Sequence, residues 1–92
     1  MIDVKEVSPG DPMEFEVVVR EPNGETRHRV TLTRHDAKRL ASGREPKELI
    51  EAAFRFLLDR ESKQQILTRF DISVIARYFP DFERVLPRYL ER

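Results

Sequence analysis

The segment Pro46–Arg60 restricts the fold of this chain more than any other part of the sequence. At about 100° per residue, its central apolar stripe consists of Leu49, Ile50, Ala53 and Leu57. Further apolar side chains flank the stripe on both sides, namely Ala52, Phe54, Phe56 and Leu58. This arc covers about half of the helix circumference, which is wider than contact with one neighbour requires. The segment therefore predicts a central helix that other elements cover from two sides, with Phe56 and Leu57 in the core.

Residues 14–33 predict an antiparallel β-hairpin. Two stretches of alternating apolar and polar residues flank the sequence Pro-Asn-Gly-Glu at positions 22–25. Asn-Gly is the favoured centre of a two-residue type I′ turn, because both of its positions take a positive φ. With Asn23-Gly24 as the turn, the expected register has three pairs on its apolar face: Phe15–Leu32, Val17–Val30 and Val19–His28.

Capping patterns predict that the rest of the chain is helical. Thr33 and Asp36 favour a short helix over roughly Arg34–Ala41, and Ser62 with Gln65 favours further helical turns. Those turns would carry Ile66, Leu67 and Phe70. Pro80 is suited to begin the last helix, and Pro87 predicts a kink or break near Leu86.

The expected fold class is α+β, in one small domain that spans residues 1–92. An N-terminal antiparallel hairpin over residues 1–33, with a third short strand as an alternative, would pack against four helical segments over residues 34–92. A chain of 92 residues of which 39% are hydrophobic can bury one modest core.

Composition limits the classes of partner and of compartment. The 17 basic and 17 acidic residues balance, so net charge alone does not favour a polyanion. No secretory signal follows Met1, and no apolar run approaches the roughly 20 residues of a membrane span. We therefore expect a cytoplasmic protein without a membrane partner.

Catalytic motifs are missing from the sequence. It contains two histidines, His28 and His35, and no cysteine, and no known metal-ligand or nucleotide-binding spacing includes them. We predict no catalytic, cofactor-binding or metal-binding residues, no cofactor and no small-molecule substrate. An enzyme is only the third interpretation of this chain.

Charge is distributed unevenly along the chain. Residues 1–26 contain seven acids and two bases, whereas residues 27–44 contain six bases and one acid. Either the basic stretch binds an anionic partner, or the hairpin pairs Arg27 and Arg29 with the acidic strand. The second interpretation does not account for the bases beyond the hairpin, namely Arg34, Lys38, Arg39 and Arg44.

The stretch from Arg27 to Arg60 resembles the ribbon-helix-helix family of DNA-binding repressors and antitoxins. The similarity lies in the strand HRVTLT, the short helix after it, and the segment GREPKELIEAAFRFLLDR. In that family, strands from two protomers pair and enter the major groove of DNA. The resemblance implies base or phosphate contacts by five residues: Arg27, Arg29, Thr31, Arg44 and Lys47.

The aromatic run Tyr78-Phe79-Pro80-Asp81-Phe82 has two interpretations. Aromatic residues beside a proline can anchor a protein partner, with Tyr78, Phe79 and Phe82 as its contacts. In a small domain the same run often belongs to the core.

These observations lead to two interpretations of the function. The first is a small non-enzymatic interaction or regulatory module with a protein partner, a second copy of the chain included. The alternative is a dimeric DNA-binding repressor or antitoxin like the ribbon-helix-helix proteins. They differ in whether Arg27, Arg29 and Arg44 form one continuous basic surface.

Overall fold

A four-stranded sheet with helices on one face is the framework of the protein. The computed structural model describes residues 1–91. The elements follow in the order β1 (Ile2–Ser8), β2 (Met13–Glu21), β3 (Gly24–Leu32), α1 (Arg34–Leu40), α2 (Pro46–Leu58), a 3₁₀ turn (Lys63–Gln65), β4 (Arg69–Asp71), a second 3₁₀ turn (Ile72–Val74), α3 (Ile75–Tyr78) and α4 (Phe82–Leu90). Strands β1, β2 and β3 are antiparallel, and β4 lies parallel to β3 at the far edge.

Helix α2 is the central helix that its wide apolar arc predicts. Its buried residues pack against two different layers. On the sheet side, the ring of Phe54 lies 5.3 Å from that of His28 and 6.0 Å from that of Phe70. On the other side, Phe56 contacts the rings of Phe79, Phe82 and Tyr89. The prediction that Phe56 and Leu57 belong to the core is confirmed, since both are buried.

The predicted hairpin register is wrong by two residues. Val17 pairs with His28, and the two-residue loop consists of Pro22 and Asn23, between the paired residues Glu21 and Gly24. Proline explains the shift. As the residue before an Asn-Gly turn, Pro22 would lack the N–H that closes the hairpin, whereas its fixed φ suits the first position of the loop. Because side chains alternate with a period of two, a two-residue shift leaves every side chain on its predicted face.

Gly24 remains the most restricted position of the hairpin, because its φ is +132°. A β-carbon there would meet no atom within 4 Å, so the restriction comes from the backbone alone. We expect Gly24→Val to lower the free energy of unfolding by about 1–3 kcal/mol, and the exposed neighbour Glu25→Val to change it far less. Urea denaturation of both variants tests this, and equal losses at the two positions would contradict the strain argument.

The capping prediction for α1 is confirmed. The side chain of Thr33 accepts a hydrogen bond of 3.0 Å from the backbone N–H of Asp36, and the helix spans Arg34–Leu40. Gln65 likewise accepts from the backbone N–H of Ser62 at 2.9 Å. That second cap begins only one 3₁₀ turn, however, and Phe70 lies in strand β4 rather than in a helix.

The α+β class is confirmed, and so is the alternative of a third N-terminal strand, β1. The division into strands over residues 1–33 and helices over residues 34–92 is wrong, because β4 returns to the sheet from within the second region. Helix α4 runs through Pro87 without the predicted break, although Pro87 has no N–H to donate to the preceding turn.

Candidate functional site

The outer face of the sheet carries the first three predicted contact residues. Arg29 donates to Glu14 at 2.6 Å, and this hydrogen bond raises the pKa of Arg29 above its ordinary value. Arg27 lies 3.1 Å from Glu25 and 3.9 Å from Glu16. The predicted pairing with the acidic strand therefore holds for Arg29 and, through Glu16, for Arg27, although the nearest acid to Arg27 is on its own strand.

This outer face has no net charge. The strand registers place five basic and five acidic side chains on it, namely Lys5, Arg20, Arg27, Arg29 and Arg69 with Asp3, Glu14, Glu16, Glu25 and Asp71. The hydroxyl of Thr31 donates to Asp71 at 2.5 Å. Strand β3 also lies inside the sheet, between β2 and β4, so it has no free edge for pairing with a second protomer.

The other two predicted contact residues lie with the helices. Arg44 donates to the backbone carbonyl of Leu90 at 2.5 Å, and its guanidinium lies 3.7 Å from Glu48. Lys47 is exposed in the first turn of α2. The sheet separates this pair from Arg27 and Arg29, so the structure does not bring the five residues into one basic surface.

Intramolecular contacts also occupy two more bases of the stretch from Arg27 to Arg44. Arg34 donates to the carbonyl of Pro9. Arg39 binds both carboxylate oxygens of Glu83, at 2.7 and 3.1 Å, and so joins α1 to α4. Hydrogen bonds from Arg39 hold the pKa of Glu83 below its ordinary value.

A groove beside the aromatic run is the strongest candidate site. Tyr78 is 68% exposed and Leu67 is 48% exposed, and both border the same apolar groove of about 350 Å³. Phe79 is half-buried and lines it as well. Phe82, the third predicted partner contact, is 1% exposed and packs against Phe56, with 4.9 Å between ring centroids. Its assignment to the surface is therefore wrong, because α4 turns its ring into the core.

The groove has a fixed floor and fixed walls. Leu57, Ile66 and Ile75 are buried and form the floor. The walls are held by aromatic contacts, since Phe70 lies against Phe54 and Phe79 meets Phe56 edge-on at 5.8 Å. The groove is therefore a product of the packed core and not a gap between loops. We name it the α2–β4–α3 groove.

Two hydrogen bonds from β3 hold the backbone beneath Leu67. Nδ1 of His28 lies 2.8 Å from the Leu67 carbonyl, and the backbone N–H of Arg29 donates to the Thr68 carbonyl at 2.8 Å. A carbonyl only accepts, so Nδ1 of His28 is the donor, and in that tautomer Nε2 is the acceptor for the hydroxyl of Thr26 at 2.9 Å. His28 thus positions Leu67 at the border of the groove, and both of its nitrogens are occupied.

Two charged side chains near the groove have no ion pair within residues 1–91. Glu61 is half-buried and lines the groove, and its carboxylate forms no hydrogen bond or salt bridge in that range. Arg77 is exposed on α3, next to Tyr78, and is likewise without a salt bridge. Most other carboxylates of the described chain contact a base or cap a backbone N–H.

Lys63 is a buried charge that the sequence interpretation missed. Its side chain is 1% exposed, and Nζ lies 2.8 Å from Glu21 and 2.9 Å from Asn23. It therefore clamps the hairpin loop to the 3₁₀ turn after α2. No sequence signal marks it, because lysines are usually exposed.

Residues 1–91 contain no cluster of three or more potential metal ligands. Within the same range, every helix is too short or too polar to cross a membrane. Comparisons with models of protein families, with curated proteins and with solved structures gave no significant match. The function must therefore be inferred from the geometry of the groove.

Proposed function

We propose that this protein is a small, non-enzymatic interaction module that binds apolar side chains of a protein partner in the α2–β4–α3 groove. The observation that carries the proposal is the exposure of Leu67 and Tyr78 at the border of one apolar groove. Single exposed apolar residues are common on protein surfaces, and Val7 is one at the other end of the sheet. Two of them around a concave apolar surface are typical of a recognition site.

The composition of the groove favours a protein partner over a small polar ligand. Small-molecule sites combine apolar walls with several convergent polar groups. Here Glu61, Gln65 and the hydroxyl of Tyr78 are the polar side-chain groups, and the rest of the lining is apolar or aromatic. Tyr78 offers a large ring surface with few rotatable bonds, which is a property of side chains that dominate protein interfaces.

Catalysis has less support from the same geometry. His28 is the histidine nearest the groove, and its two ring nitrogens are bonded to Leu67 and Thr26. A general base needs a free nitrogen that can reach a substrate proton. Glu61 is the only carboxylate that lines the groove, and no nucleophile lies beside it there.

A peptide-display selection tests the proposal. We expect a library of random peptides to yield binders of the wild-type protein that are rich in apolar residues. Leu67→Ser and Tyr78→Ala should each weaken these binders by more than about tenfold, which is a loss of about 1.4 kcal/mol. Val7→Ser, another exposed apolar position, is the matched control and should bind them as the wild type does.

Circular dichroism melts show whether each variant is folded. Surface substitutions usually change stability by less than about 0.5 kcal/mol, so the variants should melt close to the wild type. Selected peptides that bind the two groove variants as tightly as the wild type would contradict the proposal.

The DNA-binding alternative is measured with the same proteins, by titration of duplex DNA at low salt. Sub-micromolar binding that weakens steeply with salt and is lost in Arg29→Ala would favour the repressor instead.

A further inference from the structure

We infer that the α2–β4–α3 groove accepts a second copy of this chain, in a two-fold symmetric contact that exchanges Tyr78 between the copies. This inference rests on the proposed function, because it names the occupant of the same groove. A two-fold interface uses one surface on both partners, so that surface must be complementary to itself. The groove and its borders meet this condition in shape and in charge.

The shape condition is met by Tyr78 and the apolar floor. Tyr78 is the most exposed of the large hydrophobic residues that line the groove, and the floor beside it consists of buried aliphatic side chains. One surface thus carries both a projecting aromatic ring and a concave apolar site. A rotation of 180° about an axis through this surface brings the ring of each copy towards the floor of the other.

The charge condition is met by Glu61 and Arg77. Glu61 lines the groove, Arg77 precedes Tyr78 in α3, and neither takes part in a salt bridge within residues 1–91. When Tyr78 of one copy enters the groove of the other, Arg77 approaches Glu61 of the opposite copy. Symmetry forms this pair twice. A foreign partner would need to supply its own cation, whereas a second copy of the chain already has one.

The expected dimer is weak. Stable interfaces bury about 800 Å² on each partner, and a groove with ten lining residues offers less than that. The chain has no net charge, so long-range repulsion does not oppose association. The contact should therefore appear only as the protein concentration is raised.

Sedimentation velocity of the full chain over a wide concentration range tests the inference. The wild type should change from monomer to dimer as its concentration rises. Tyr78→Ala should remain a monomer over the same range. Glu61→Arg and Arg77→Glu should each weaken the dimer by more than about tenfold, and the double variant should restore it, because the exchanged charges pair again. Arg84→Glu, at an exposed arginine on α4, should leave the dimer unchanged.

Three results would overturn the inference: a folded wild type that stays monomeric, a dimer that is indifferent to Tyr78→Ala, or a charge exchange that does not restore association. Failure here is distinguishable from failure of the proposed function. A monomeric protein whose groove still selects peptides keeps its function as an interaction module and loses only this occupant. A monomeric protein that selects no groove-dependent peptide loses both.

Discussion

Replacing Phe56 by alanine should lower the free energy of unfolding by about 3–5 kcal/mol, the range for a fully buried aromatic side chain. Its ring is fully buried in α2, with three aromatic neighbours at centroid distances of 4.9 to 5.8 Å. The guanidinium of Arg60 also lies 3.7 Å from its centroid. Truncation would remove the apolar contact that joins α2 to α3 and α4, and it would leave a cavity between rigid rings.

Urea denaturation, with the m value fitted for each variant, measures this loss, and Leu58→Ala is the matched control on the same helix. Leu58 is only partly buried, so its truncation should cost much less. Phe56→Ala should also enlarge the groove by loosening Phe79, whose ring it supports edge-on. A loss below about 1 kcal/mol would mean that neighbouring side chains fill the space, contrary to the packing described above.

Replacing Lys63 by methionine should lower the free energy of unfolding by about 1–3 kcal/mol, because Glu21 and Asn23 then lose the hydrogen bonds of a buried ammonium group. Methionine keeps most of the aliphatic stem, so the effect reports the ammonium group. Glu21 is 42% exposed and can be hydrated in part, which keeps the loss below that of a fully buried ion pair. Asn23 lies in the hairpin loop and loses its only described side-chain partner.

A double-mutant cycle with Lys63→Met and Glu21→Gln isolates this contact in thermal or urea denaturation. We expect a coupling free energy well above that of the more exposed pair Arg29–Glu14, for which Arg29→Ala should cost less than about 1 kcal/mol. Coupling energies of equal size at the two pairs would show that the burial of Lys63 has no energetic consequence.

Local patterns in the sequence predict much of this fold, because interactions between residues close together in the chain determine those elements. The apolar arc of α2 requires cover on both sides, and the structure supplies the sheet and α4. The alternation in β2 and β3 assigns every side chain to its correct face, even though Pro22 moves the loop by one position and the register by two. Thr33 and Asp36 define the beginning of α1 through one hydrogen bond.

Features that depend on distant contacts could not be read from the same patterns. Strand β4 has only three residues, and it is extended because β3 lies beside it rather than because of its own alternation. Lys63 is buried because it contacts Glu21 at the end of β2 and Asn23 in the hairpin loop, about 40 residues earlier in the chain. The aromatic run predicts surface positions for Tyr78, which is exposed, and for Phe79, which is half-buried. It also predicts one for Phe82, which is buried, and the capping pattern places Leu67 in a helix, where it does not lie.

The parallel pairing of β4 with β3 has a consequence for the nascent chain during synthesis. The bond from His28 to Leu67 spans 39 positions, and the walls of the groove continue as far as Phe79. The antiparallel strands β1 to β3 are therefore synthesised long before their neighbour β4 leaves the ribosome. Until then there is no groove, and a nascent chain offers no recognition surface of this kind. Whatever partner the groove serves can engage it only after the chain has been synthesised through Phe79.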